Sequence, residues 1–153
     1  MTIPLPDCAG TYVLLLEACR WHKLPIGRFG QLVLEPGCYL YVGSAFGPGG
    51  LRARVGRHLQ RGKPLRWHID YLREHTRLVA VWYACDEQVR EAAWVGAVAG
   101  MGGITVPLPG FGATDHPGQT HLFHSRRCPR LREFEEQLQG RQVPPVQGWQ
   151  VEA

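Results

Sequence analysis

Two tyrosines, an arginine and a histidine are spaced so that they could act together on a phosphate ester. Tyr12 follows Gly10-Thr11, and Tyr41 opens Tyr41-Val42-Gly43. Both lie in apolar, β-branched runs that read as strands. If those strands are neighbours, both phenols can point to one side of a sheet. A hydrogen-bonded tyrosine pair beside an arginine can orient and deprotonate a water. Taken singly, a strand tyrosine is more often core. The arginine is supplied by a helix. Leu51, Val55 and Leu59 recur at i, i+4 and i+8 and mark an apolar stripe. His58 falls at the edge of that stripe, and Arg54, Arg61 and Arg57 lie progressively further round. A guanidinium held at the core boundary could bind a phosphate bidentately. The bland alternative is an arginine snorkelling along the helix edge.

The glycine run between Tyr41 and this helix, "GSAFGPGG", lacks the lysine and Ser/Thr of a P-loop and does not fit GxGxxG. A nucleotide cradle is therefore disfavoured, although a glycine-rich turn before a helix can still offer N–H groups to a phosphate. From Leu51 to Arg66 the chain carries Arg52, Arg54, Arg57, Arg61, Lys63 and Arg66 and no acid. A second basic cluster is Arg126, Arg127, Arg130 and Arg132. One-sided positive charge suits a polyanion; solvated helix faces are the plain alternative.

The elements that must position these groups follow from the pattern. Thr11–Ala18 reads as a strand buried on both faces. Gln31–Gly43 reads as strand, Pro36-Gly37 turn, strand, with a turn-rich stretch containing "KLPIGRFG" before it. Leu65–His75 reads as a second helix. Arg77–Cys85 is a strand with both faces apolar. Asp86 is placed as the N-cap of a helix reaching about Met101, with Val89, Ala92, Ala93, Gly96 and Ala97 as a small-residue face. Thr120–His124 is a last short strand, and Pro129–Gln139 is helical. Strands cluster first and do not alternate with helices. The class is α+β: a small mixed, mostly antiparallel sheet flanked by helices. One domain is expected over 1–139, with a mobile tail over 140–153.

Composition narrows the setting. The chain has 153 residues, 44% hydrophobic and 20% charged, with a formal net charge of +4, ordinary for one globular domain. Its five cysteines form no CxxC pair, so reduced thiols in a cytoplasmic protein are expected. The N-terminus lacks the regions of a signal peptide. No apolar run reaches the length of a membrane span, so no membrane partner is expected.

Several of these segments, in order, resemble the GIY-YIG nuclease superfamily. They are "GTYVLLLE", "PGCYLYVGSAFGPGGLRARVGRHL", "KPLRWHIDYL", "REA" and "GFGATDH…HLF". They are most similar to a branch found alone or fused to endonuclease-III-type DNA glycosylases. The resemblance spans roughly residues 9 to 124. It implies a GIY-YIG-like fold, metal-dependent hydrolysis of DNA (with RNA as a second candidate), a role in DNA repair, and association with a repair glycosylase. Carried over by position, Tyr12 and Tyr41 would orient and activate the water, Arg54 would stabilise the pentacovalent phosphate, and His58 would assist on the substrate or leaving-group side. Gly43, Ser44, Arg52, Arg57, Arg61, Lys63 and Arg66 would line the nucleic acid. Mg²⁺ or Mn²⁺ is the implied cofactor.

The chain departs from the family pattern at two positions. The late-helix motif E-A-x-x-x-E ends here in Gly96, where the family's metal-holding glutamate would stand. The lysine that excision-repair members carry after the YVG-type motif is here Ser44. The second reading is therefore a nucleic-acid-binding module without catalysis. Three carboxylates could replace the absent ligand. Glu91 lies five residues before Gly96, about 500° of helix rotation, so it would point roughly 140° away. Asp70 sits among aromatics in a covered helix and needs a ligand or an ionic partner. Asp115, with His116, His121 and His124, forms the densest Asp/His segment. Such a set suits transition metals but fits no standard zinc spacing, and a loop tied down by its own side chains is the alternative. Trp67 and His68 could stack on a base or fill the space between helix and sheet.

Overall fold

The computed structural model describes residues 3–26, 30–60, 62, 64–65, 67–108, 111 and 120–151. The order is β1 (Gly10–Ala18), β2 (His22–Pro25), β3 (Gln31–Leu34), β4 (Gly37–Ala45), α1 (Gly50–Leu59), α2 (His68–Arg73), β5 (Arg77–Cys85), α3 (Glu91–Ala99), β6 (Leu122–Ser125), α4 (Leu131–Gln137) and β7 (Gln147–Gln150). Five strands form one sheet in the order β6-β4-β1-β5-β7, and β2 pairs with β3 apart from it. Every pairing is antiparallel. The α+β class expected from the sequence is the class observed.

β1 is central and covered on both faces, which is why its sequence is an unbroken apolar run. On one face Tyr12, Leu14 and Leu16 pack with Leu51 and Val55 of α1, Ile69 and Leu72 of α2, and Leu24 and Leu32 of the hairpin. On the other, Val13 and Leu15 pack with Trp94, Ala97 and Val98 of α3 and Phe134 of α4. The sheet is thus a middle layer between two helical layers. Among the described residues no helix is long and apolar enough to cross a membrane.

The structure corrects four expectations. The stretch read only as turns holds β2, because Leu24 alternates with exposed neighbours and buries against the core. The expected mobile tail carries β7, which pairs with β5 from Tyr83↔Gln147 to Ala80↔Gln150 and packs Trp149 against the core. α3 begins at Glu91, not after Asp86. Asp86 instead accepts from the Gln88 N–H at 3.0 Å and pairs with Arg90 at 2.6 Å, closing a turn ahead of the helix. Finally, Cys8 and Cys85 form a disulfide with Cα atoms 5.8 Å apart, while Cys19, Cys38 and Cys128 are free. Gly10 lies opposite Cys85 in the β1–β5 register, so the chain two residues earlier runs beside it. No sequence spacing reveals such a contact.

Candidate active site

The β1–β4 register pairs Tyr12 with Gly43 and Leu14 with Tyr41. Directly opposed residues share a face, so both tyrosines emerge on the side covered by α1. Gly43 makes this possible. A Cβ there would lie 2.5 Å from the Tyr12 ring and from its hydroxyl. Tyr12 is buried, and its hydroxyl shares a hydrogen bond with His58 Nε2 at 2.8 Å. The Tyr41 ring meets His58 edge-on, with centroids 6.2 Å apart. One turn before His58, Arg54 donates from Nη1 to the Ser44 carbonyl at 3.1 Å, and its charge lies close enough to oppose the rise of the Tyr12 pKa. Its guanidinium also lies over the Trp67 ring, 4.7 Å from the centroid. Tyr12, Tyr41, Arg54 and His58, named from sequence, therefore converge.

Burial pushes the Tyr12 phenol well above its ordinary value of 10.0. The Tyr41 phenol moves the same way, first from burial and then from the negative charge of Glu91, with Arg54 opposing. Both hydroxyls are protonated at neutral pH. They can hold a water or a phosphate oxygen through O–H groups. Loss of either proton is opposed first by burial, and at Tyr41 a neighbouring negative charge adds to it.

That charge is at hand. Glu91, the first residue of α3, accepts a hydrogen bond from Ser44 Oγ, and its other oxygen lies 3.4 Å from His121 Nδ1. Ser44 follows Gly43 on β4, and the His121 carbonyl accepts from the Val42 N–H at 2.9 Å, extending the β4–β6 pairing past Tyr41↔Leu122. Glu91 sits at the end of β4, close enough for its charge to raise the Tyr41 pKa. Residues 11–142 match the family model described as a domain of unknown function, DUF123. The chain belongs to the DUF123 family. No curated protein and no solved structure gives a match.

The DUF123 domain treats the remaining candidates differently. Gly96 is exposed, and a Cβ there would lie 3.8 Å from Arg141, so this position faces the C-terminal segment. The carboxylate that reaches the site is Glu91. Asp70 is fully buried and committed. It takes two hydrogen bonds from Arg57, at 2.7 and 2.9 Å, and one from the Trp67 N–H at 2.9 Å. It anchors Arg57 and caps α2, which answers the need for a partner without a metal. Arg57 is correspondingly pinned, with its guanidinium 4.0 Å from the Trp67 centroid. Gly43 is buried beneath Tyr12 and presents no surface to a nucleic acid. Arg52 is exposed and bonds the Leu5 carbonyl at 2.8 Å. His68 packs on Phe111 at 5.4 Å, and burial lowers its pKa. Asp115, His116, Arg61, Lys63 and Arg66 lie outside the described residues.

The backbone phosphate cradle is also excluded at α1. The Leu51 and Arg52 N–H groups donate to the Cys8 and Pro6 carbonyls at 2.9 and 3.0 Å. The glycines let that N-terminal segment close on the helix. Gly50 has φ +58°, and a Cβ there would collide with the Asp7 and Cys8 carbonyls. Among the described residues no group of three or more His, Cys, Asp or Glu could hold a metal. Glu91 with Ser44 fits a hard cation that keeps most of its own waters and takes one protein carboxylate. It does not fit a closed protein cage. Sequence reasoning missed the Ser44–Glu91–His121 cluster. Its one legible signal is a lone glutamate opening a helix that is otherwise apolar.

Proposed function

We propose that this domain is a GIY-YIG-type endonuclease that hydrolyses DNA phosphodiesters. The observation that carries the reading is the convergence of Tyr12 and Tyr41 with Arg54 and His58 on one face of the sheet. Arg54 binds the scissile phosphate and offsets the charge that builds on it during attack. Tyr12, fixed by His58 and by its burial, serves as a rigid donor. His58 is thereby a partner of Tyr12, not a group reaching toward the leaving oxygen. Tyr41, half-buried and nearer the opening, orients the attacking water. Glu91 would hold Mg²⁺ or Mn²⁺, which supplies charge neutralisation at the phosphate. Such an ion would offset the Glu91 charge, which adds to burial in raising the Tyr41 pKa.

The test is nicking of supercoiled plasmid with Mg²⁺ or Mn²⁺. Tyr41→Phe, Arg54→Ala and Glu91→Gln should each lower the rate by roughly 10²-fold or more. Metal-dependent nicking that survives all three changes would sink the assignment. Gly96, which carries no carboxylate and faces Arg141, favours a second reading, a module that binds DNA without cutting it. Salt-sensitive binding with no cleavage on plasmid, flap or branched substrates would decide for that reading.

A further inference from the structure

Three of the large apolar side chains exposed among the described residues lie on the segments that flank α1, the helix of Arg54 and Arg57: Phe46 at 40% exposure before it, and Leu65 at 45% and Trp67 at 38% after it. Exposed aromatics beside a basic groove call for an occupant. The guanidinium of Arg54 has two neighbours of note. One is the Trp67 ring, whose centroid is 4.7 Å from Arg54 and 4.0 Å from Arg57. The second is Gly47, where a Cβ would stand 3.9 Å from Arg54 Nη2. Phe46 immediately precedes Gly47. Between this loop and α1 runs a groove of about 150 Å³ with Arg54 and Arg57 in its lining. Asp70 balances Arg57, whereas the described hydrogen bond of Arg54 goes to the neutral Ser44 carbonyl. The lining carries the positive charge, and the aromatic surface adjoins it: Phe46 precedes the lining residue Gly47, and the Trp67 ring lies under the guanidiniums of the lining residues Arg54 and Arg57.

We infer that the groove seats an unpaired nucleobase of single-stranded DNA against Phe46 and Trp67, with the adjoining phosphate on Arg54. A paired base keeps its faces within the duplex stack and cannot offer one to Phe46. An unpaired base can, and every base has such a face. The site is then selective for strands with unstacked bases, such as flaps or single-stranded ends. This inference deepens the function proposed above and rests on DNA as the ligand.

The experiment measures anisotropy of an end-labelled single-stranded oligodeoxynucleotide with the full chain in a chelator, so that no cleavage intervenes. The comparison strand has the same backbone carrying a run of abasic sites. Wild type should bind the natural strand about tenfold more tightly than the abasic one. Phe46→Ala should reduce natural-strand affinity to the abasic level, and Phe46→Tyr, which keeps a stacking face, should retain it. Trp67→Leu should act like Phe46→Ala, whereas Arg54→Ala should weaken both strands alike. Equal wild-type affinity for the two strands overturns the inference, as does a Phe46→Ala loss of equal size on both. If Arg54→Ala abolishes nicking while the strands are not distinguished, the nuclease reading stands and base seating falls. If neither strand binds, base seating falls, and plasmid nicking alone decides the nuclease reading.

Discussion

At the residue scale, the site depends on a side chain that is absent. Gly43 leaves the space in which the Tyr12 ring lies, and Tyr12 cannot yield, because it is buried and its hydroxyl is tied to His58. Gly43→Ala should therefore destabilise the domain by about 1–3 kcal/mol, as overpacking does, and should also displace the Tyr12 hydroxyl. Denaturant unfolding reads the first effect. The second shows as a nicking loss that persists at temperatures where the variant is fully folded. An alanine variant with wild-type stability and rate would remove Gly43 from the argument. Tyr12, Tyr41, Arg54 and His58 were legible in sequence because a two-residue strand period and a four-residue helix period each bring their members to one face. Glu91 was only half legible. Its position as a site carboxylate depends on α3 starting at Glu91 itself, and helix boundaries are the least readable feature of a sequence. Asp70 shows another limit. That a buried acid needs a partner follows from its surroundings, but Arg57, thirteen residues earlier, is chosen by how two helices pack.

At the scale of elements, α1 is held from outside itself. Its first N–H groups bond the Pro6 and Cys8 carbonyls, Arg52 bonds Leu5, and the same segment is tied to β5 through Cys8–Cys85. The helix carrying Arg54 and His58 thus has its N-terminus set by a strap that a disulfide secures. A cross-link spanning 77 residues restricts the unfolded chain, a contribution typically of about 2–4 kcal/mol. Cys85→Ser should lower stability by that order, and a thiol reductant should bring wild type down to meet the variant. Coincident unfolding curves for oxidised wild type and Cys85→Ser would show that the strap contributes nothing. Periodicity exposed the apolar stripe of α1 and the doubly buried β1 and β5. It missed the strap and β7 for the same reason. Both are irregular or short, and their partners lie far away in the chain, so neither carries a local pattern to detect.

Across the whole molecule, the buried phenols couple the sheet and its helices to pH. Tyr12, Tyr39 and Tyr41 all have pKa values raised above 10.0, in each case chiefly by burial. Their neutral forms belong to the folded state, while in the unfolded chain each ionises near 10.0. Below that pH both states hold the proton, and the stability is fully present. Above it the unfolded chain sheds protons that the native state keeps, so stability falls as pH rises toward the folded values. Each phenol fully ionised in one state and not the other steepens the fall by about 1.4 kcal/mol per pH unit. Tyr12→Phe should lower stability at neutral pH by about 1 kcal/mol through the lost hydrogen bond. It should also make the alkaline decline shallower by one titrating group. Urea unfolding at a series of pH values above about 9 separates the two effects, because lysines and other groups that titrate there are common to both proteins and cancel. Parallel declines in wild type and Tyr12→Phe would mean that the Tyr12 phenol ionises as readily folded as unfolded, and the sealed, hydrogen-bonded Tyr12–His58 pair at the centre of the site would have to be abandoned.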